Sequence, residues 1–280
     1  MKKYYLELVG LHAVLQTPYE ITISDSLRPF LCEPQATDCT IMVQEQAVIP
    51  SPSENGVWHG LEYYDYADYA MRIFHCSAPG ATAFAVTRIL TTGNIEICVL
   101  PAYRSYFAGT AGIFNRIGME TLLLQHNGLL LHASLIKYAG KAIAFAGPSG
   151  VGKSTQGELW RSALGAEIIN GDRAALRKDA SWMAYGSPYA GTSGIYKNES
   201  APLAAVVVLR QAKENRLRRL TPTEALPHIF PELSIHHWDK TFVEVATDLC
   251  VTLLADTPVY LLECLPEESA VMLVKKGLGL

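Results

Sequence analysis

The chain has 280 residues, 49% of them hydrophobic and 18% charged, which fits a globular protein with a real core and excludes a disordered one. A net charge of −4 supplies no electrostatic footprint for nucleic acid. No signal-peptide apolar run opens the chain, and residues 121–135, interrupted by Gln125, His126, Asn127 and His132, are too short and polar to span a bilayer, so the expectation is a cytoplasmic protein without a membrane partner.

The first part reads as strands and loops. Residues 4–9, 19–23, 40–43 and 95–100 have β-type composition, and a Pro- and Ser-containing stretch, 49–56, interrupts them. From about residue 110 the pattern changes. Ile113, Ile117, Met119, Leu122 and Leu123 suit one broad apolar helix face through Gln125, and Asn127-Gly128 offers a stop. Residues 129–136 and 141–146 read as strands, 153–164 as a helix and 166–170 as a short strand. Residues 203–209 form the continuous apolar run of a buried strand. Helices are predicted at 221–230, despite Pro222 and Pro227, and at 240–254, then a strand at 259–263 and a helix at 267–276. Strands alternating with helices imply an α/β core, divided as a β-rich region 1–114 and a second domain 115–280. The six cysteines, Cys32, Cys39, Cys76, Cys98, Cys250 and Cys264, form no C-x-x-C pair and read as reduced, packed thiols.

One motif is complete. Gly147-Pro148-Ser149-Gly150-Val151-Gly152-Lys153-Ser154 fits G-x-x-x-x-G-K-[ST], entered by an apolar strand and left by a helix. The glycines let the backbone curl so that its N–H groups point at phosphate oxygens, and the helix start adds the positive end of its dipole. Lys153 is expected to reach the β- and γ-phosphates and Ser154 to ligate Mg²⁺, with Thr155 completing the nucleotide-binding set. The expected ligands are a nucleoside triphosphate, ATP, and Mg²⁺. No N-K-x-D motif for guanine is present.

Residues 168–173 end in Asn170-Gly171-Asp172-Arg173. An acidic residue at a strand end near such a loop can bind Mg²⁺ or accept a proton from an attacking hydroxyl. Arg173 reads either as a stabiliser of phosphate charge or as a surface ion-pair partner. His132 lies on the strand before the loop strand. The basic cluster Arg210, Lys213, Arg216, Arg218 and Arg219 reads as a solvated strand end and loop. His236-His237-Trp238-Asp239 reads as packing and helix capping, with Asp239 the N-cap.

Taken in order, His132, the loop 147–154, the turn ending at Asp172 and Glu199 before the strand 203–209 resemble the HPr kinase/phosphorylase-like P-loop family. That family is similar in turn to phosphoenolpyruvate carboxykinases. The resemblance covers roughly residues 115–280. It implies a P-loop kinase core of that type, with Asp172 as base, His132 as active-site histidine, Lys153 as loop lysine, Ser154 as metal ligand and Glu199 as a second metal ligand. The family's acidic turn often has two adjacent aspartates. This chain has Asn170-Gly171 before a single Asp172, which removes one carboxylate and leaves open whether reverse phosphorolysis occurs. The segment 185–194, and the strings around His132, Gly147 and Pro258, resemble a divergent branch that includes lasso-peptide kinases. The segment 186–194 then reads as an acceptor loop or as a plain surface loop. The implied function is an ATP-dependent kinase acting on a hydroxyl of a peptide, protein or small molecule, with a homo-oligomer compatible. The alternative is a non-catalytic nucleotide-binding regulator or partner in a peptide-modification system.

Overall fold

The structure, a computed structural model, describes residues 1–23, 25, 27–58, 63–75, 82–109, 112–113, 115–189, 191–237 and 239–280. Cys76, Ala190 and Trp238, singled out in the sequence, lie outside the described residues. The chain divides into two units, Met1–Leu122 and Leu123–Leu280.

Unit 1 is built on β1 (Lys2–Leu8), β2 (Leu11–Thr17), β3 (Cys39–Glu45), β4 (Val57–Trp58), β5 (Tyr63–Asp65), β6 (Tyr69–His75), β7 (Ala83–Leu90) and β8 (Ile95–Val99). They form one sheet in the order β1-β2-β3-β8-β7-β6-β5-β4, with β2–β3 and β3–β8 parallel and the other pairs antiparallel. Val9 and Gly10, both at positive φ, make the two-residue turn that lets β2 fold back on β1. Residues 19–23, expected as a strand, are not one. Pro18 precedes them, Ile21 N–H donates to the Tyr4 hydroxyl at 3.0 Å, and Thr22 N–H donates to the Ala108 carbonyl. These two N–H groups are therefore satisfied outside any ladder. The Arg116 guanidinium lies 4.9–5.3 Å from the ring centres of Phe74, Phe84 and Phe107 and donates to the Gly112 carbonyl, and burial lowers its pKa.

The helix expected through residues 113–125 is interrupted: Gly112 and Ile113 are helical, and α1 (Met119–Gln125) begins separately after Gly118. Gly118 sits at φ +63°, outside the helical region, so Ile113 and Ile117 are buried without being part of α1. At its far end Asn127, not Gly128, takes the left-handed conformation, and Gly128 begins the next strand.

Unit 2 is a layered α/β structure. Its strands are β9 (Gly128–Tyr138), β10 (Lys141–Ala146), β11 (Glu167–Asn170), β12 (Arg173–Lys178), β13 (Trp182–Tyr185), β14 (Ser200–Gln211), β15 (Arg216–Leu220) and β16 (Val259–Cys264). The pairing order is β10-β9-β12-β13-β14-β16-β15, with β11 on β9 and β10 also on β14. The strands β10, β14 and β16 run parallel, as their continuous apolar sequences require.

Helices cover both faces of these strands. Ile143 and Phe145 of β10 pack with Trp160 of α2 (Lys153–Leu164) and with Val271 and Val274 of α5 (Glu268–Leu278). Ala142, Ala144 and Ala146 face the other way, into a cluster with Ile229 of α3 (Pro222–Ile229) and Phe242, Cys250 and Leu253 of α4 (Lys240–Asp256). The alternation along β10 thus feeds two cores. The segment carrying Arg216, Arg218 and Arg219 is the edge strand β15, not a loop. Two of its arginines pair with Glu214 and Glu224, and such charges keep a sheet edge from recruiting another strand.

Candidate functional site

The glycine loop leaves the carboxyl end of β10 and runs into α2. Gly147, Gly150 and Gly152 have φ of +139°, +81° and +114°, conformations that side chains rarely adopt. A Cβ built at Gly150 or Gly152 would meet nothing within 4 Å, so these two positions are bare backbone facing open space. Lys153, only 7% exposed, turns back over the loop and donates to the carbonyls of Gly147 at 2.6 Å and Pro148 at 3.2 Å. Burial lowers its pKa, while the carboxylates of Glu232 and Asp172 pull in the opposite direction. Ser154 and Thr155 are exposed at the start of α2.

The antiparallel pairing of β9 with β12 puts His132 opposite Arg173, next to Asp172. Nε2 of His132 is 3.5 Å from Oδ1 of Asp172, and Nε of Arg173 is 3.7 Å from Oδ2 of the same carboxylate. Arg173 also lies over the ring of Tyr189 at 5.4 Å. Nδ1 of His132 is 2.9 Å from Oε2 of Glu232. Nothing in the sequence pointed to Glu232. It lies 100 residues from His132, in a Pro-Glu turn after α3. An isolated bridge from Leu233 to Leu131 and the Ser234 N–H on the Leu130 carbonyl pin that turn beside β9.

The acidic turn is held by Asn170, which is completely buried. Its Oδ1 accepts from the backbone N–H groups of Asp172 at 2.9 Å and Arg173 at 2.7 Å. Its Nδ2 donates to the carbonyls of Ser187 and Tyr189, each at 2.9 Å. The Ser187 hydroxyl in turn donates to the Arg173 carbonyl. Residues 187–189 and 191–195 thereby lie directly on the turn. A Cβ on Gly171 would come 2.0 Å from Ser193 Oγ, and one on Gly191 would come 2.6 Å from Asp172 Cβ and Cγ. No side chain fits beside Asp172 at position 171 with this segment in place.

Glu199 does not join the group. Its carboxylate accepts from Lys137 Nζ at 2.7 Å, and that hydrogen bond raises the Lys137 pKa. Glu199 directly precedes β14, at the amino end of the parallel strands, whereas the glycine loop leaves their carboxyl end. Lys137 is five positions along β9 from His132, about 17 Å of strand.

Cavities flank the loop. One of about 450 Å³ is lined by Gly147–Val151, Arg210, Gln211 and His228, and another of about 380 Å³ by Thr155, Gln156, Gln211, Cys264 and Pro266. Among the described residues, no cluster of three or more His, Cys, Asp or Glu side chains has the geometry to hold a metal. Magnesium in phosphate-transfer sites is bound by one or two protein ligands together with substrate phosphates, and the exposed Ser154 hydroxyl at the mouth of the loop fits that role.

No family model and no curated protein matches the sequence. Among solved structures the chain is similar to the HPr(Ser) kinase/phosphatase from Coxiella burnetii. The two are 11% identical, with a TM-score of 0.33, over 53% of this chain and 95% of that one. At that level the likeness carries no weight for the site, whose chemistry rests on its own residues.

Proposed function

We propose that unit 2 binds ATP with Mg²⁺ at the loop from Gly147 to Ser154 and transfers the terminal phosphoryl group to a hydroxyl of a peptide, protein or small molecule. The observation that carries this reading is the convergence of Lys153, Asp172 and His132 at one end of the strands, with Asp172 3.5 Å from His132 and close enough to Lys153 to affect its charge.

The bare backbone at Gly150 and Gly152 gives phosphate oxygens close approach to loop N–H groups. Lys153 already points into the loop. Phosphate oxygens replace the carbonyls of Gly147 and Pro148 as its acceptors and compensate the charge that burial disfavours. Bound Mg²⁺ supplies charge neutralisation on the phosphates, with Ser154 as its protein ligand. Asp172 accepts the proton of the attacking hydroxyl, and Asn170 fixes the backbone that presents it. Catalysis of this kind is mostly positioning and electrostatics.

The test is incubation with ATP labelled in the γ-phosphate, Mg²⁺ and hydroxyl-bearing peptides. Label is expected on a hydroxyl oxygen. Tight ATP binding with no transfer to any acceptor would overturn the kinase reading and leave a nucleotide-binding regulator.

A further inference from the structure

Two carboxylates flank one imidazole, and they come from different places. Asp172 belongs to the turn between β11 and β12, and Glu232 to the Phe230–Glu232 turn after α3. The Glu232 side chain is 12% exposed, so it has little water to solvate its charge. Its contact with His132 Nδ1 is the shorter of the two, 2.9 Å against 3.5 Å. Its backbone neighbourhood is clamped to the strand of His132 through Leu131 and Leu130. The position next to Asp172 that would hold a second acid is closed by Ser193.

We propose that Glu232 is a positioning residue: it accepts the Nδ1–H of His132 and so leaves Nε2 facing Asp172, ready to take the proton onward. This deepens, and rests on, the phosphotransfer reading. As the acceptor oxygen forms its bond to phosphorus, its O–H bond breaks and the proton passes to the Asp172 carboxylate. The bond from phosphorus to the bridging oxygen breaks, and ADP leaves with that electron pair. The proton then moves from Asp172 to His132 Nε2, and Glu232 balances the imidazolium until solvent removes the proton. A separation of 3.5 Å is long for that step, as hydrogen bonds in substrate-free sites often are. The second carboxylate of this site thus reaches the histidine from a remote turn. Partners that orient a functional histidine in this way are worth roughly 10–100-fold in activity.

The experiment uses the full chain labelled with ¹⁵N-histidine, without nucleotide, at a pH where the ring-nitrogen shifts themselves report a neutral imidazole. Long-range proton–nitrogen correlation is expected to show the Nδ1–H tautomer at His132. Glu232→Ala should shift it toward Nε2–H. Glu232→Gln, whose amide oxygen still accepts, should keep Nδ1–H. In transfer assays E232A should lower kcat roughly 10–100-fold with little change in KM for ATP, and E232Q should recover most of it. An E232A protein that keeps both the Nδ1–H tautomer and wild-type kcat overturns the proposal, as does one whose KM alone changes. A wild type that transfers nothing overturns the phosphotransfer reading instead, and the tautomer result stands apart from it.

Discussion

Asn170 holds the turn that ends at Asp172, and its amide shows why an acid does not suit position 170. The Nδ2 side faces two carbonyl oxygens, Ser187 and Tyr189, while Oδ1 faces two N–H groups. Only an amide satisfies both sides. Asn170→Asp is therefore expected to set a carboxylate oxygen against two buried carbonyls and to destabilise the protein by about 2–4 kcal/mol. A lowered denaturant midpoint would show it, and an unchanged midpoint would refute this account of the turn. At this scale the loop carrying Lys153 and Ser154, and the turn carrying Asp172, could be picked out as candidates because a loop motif and the turn after it are local in sequence. Glu232 could not, because its partner is brought to it by a backbone bridge between distant segments. Glu199 lies apart from that group, at the amino end of the parallel strands, and its proximity in sequence to β14 says nothing about which end of the sheet it occupies.

Among the elements, the parallel strands were the most readable. Residues 142–146 and 203–209 are apolar throughout because both faces are covered, and no polar alternation competes with that signal. The short antiparallel strands β12, β13 and β15 went unread, since Arg173–Lys178 and Arg216–Leu220 carry charges typical of loops. Helix α3 survives Pro222 and Pro227 because Pro222 sits in the first turn and Thr221 with Glu224 closes a capping box. The backbone N–H of Thr221 first, then Arg218 and the Thr221 hydroxyl, hold the Glu224 carboxyl down to about 2, from 4.5. A depressed carboxyl contributes stability that is present above its unfolded pKa and is lost as pH falls through the folded one. Stability measured by urea titration from pH 5 to about 2 should therefore fall more steeply in wild type than in Glu224→Gln, with the two curves converging at the acid end. Parallel curves across that window would contradict the capping argument.

For the whole molecule, the sequence pattern changes after about residue 110, and the structure divides into a sheet-built unit and a layered α/β unit between Leu122 and Leu123, within α1. No helix among the described residues is long and apolar enough to cross a membrane. The chemistry we propose for unit 2 separates two jobs: triphosphate binding, given to the glycine loop and Lys153, and removal of the acceptor proton, given to Asp172. The most direct measurement follows ATP binding and γ-phosphoryl transfer side by side in wild type and Asp172→Asn. The expected result is ATP affinity within about twofold of wild type, with transfer reduced roughly 10²–10⁴-fold. Transfer by Asp172→Asn at the wild-type rate would contradict the account.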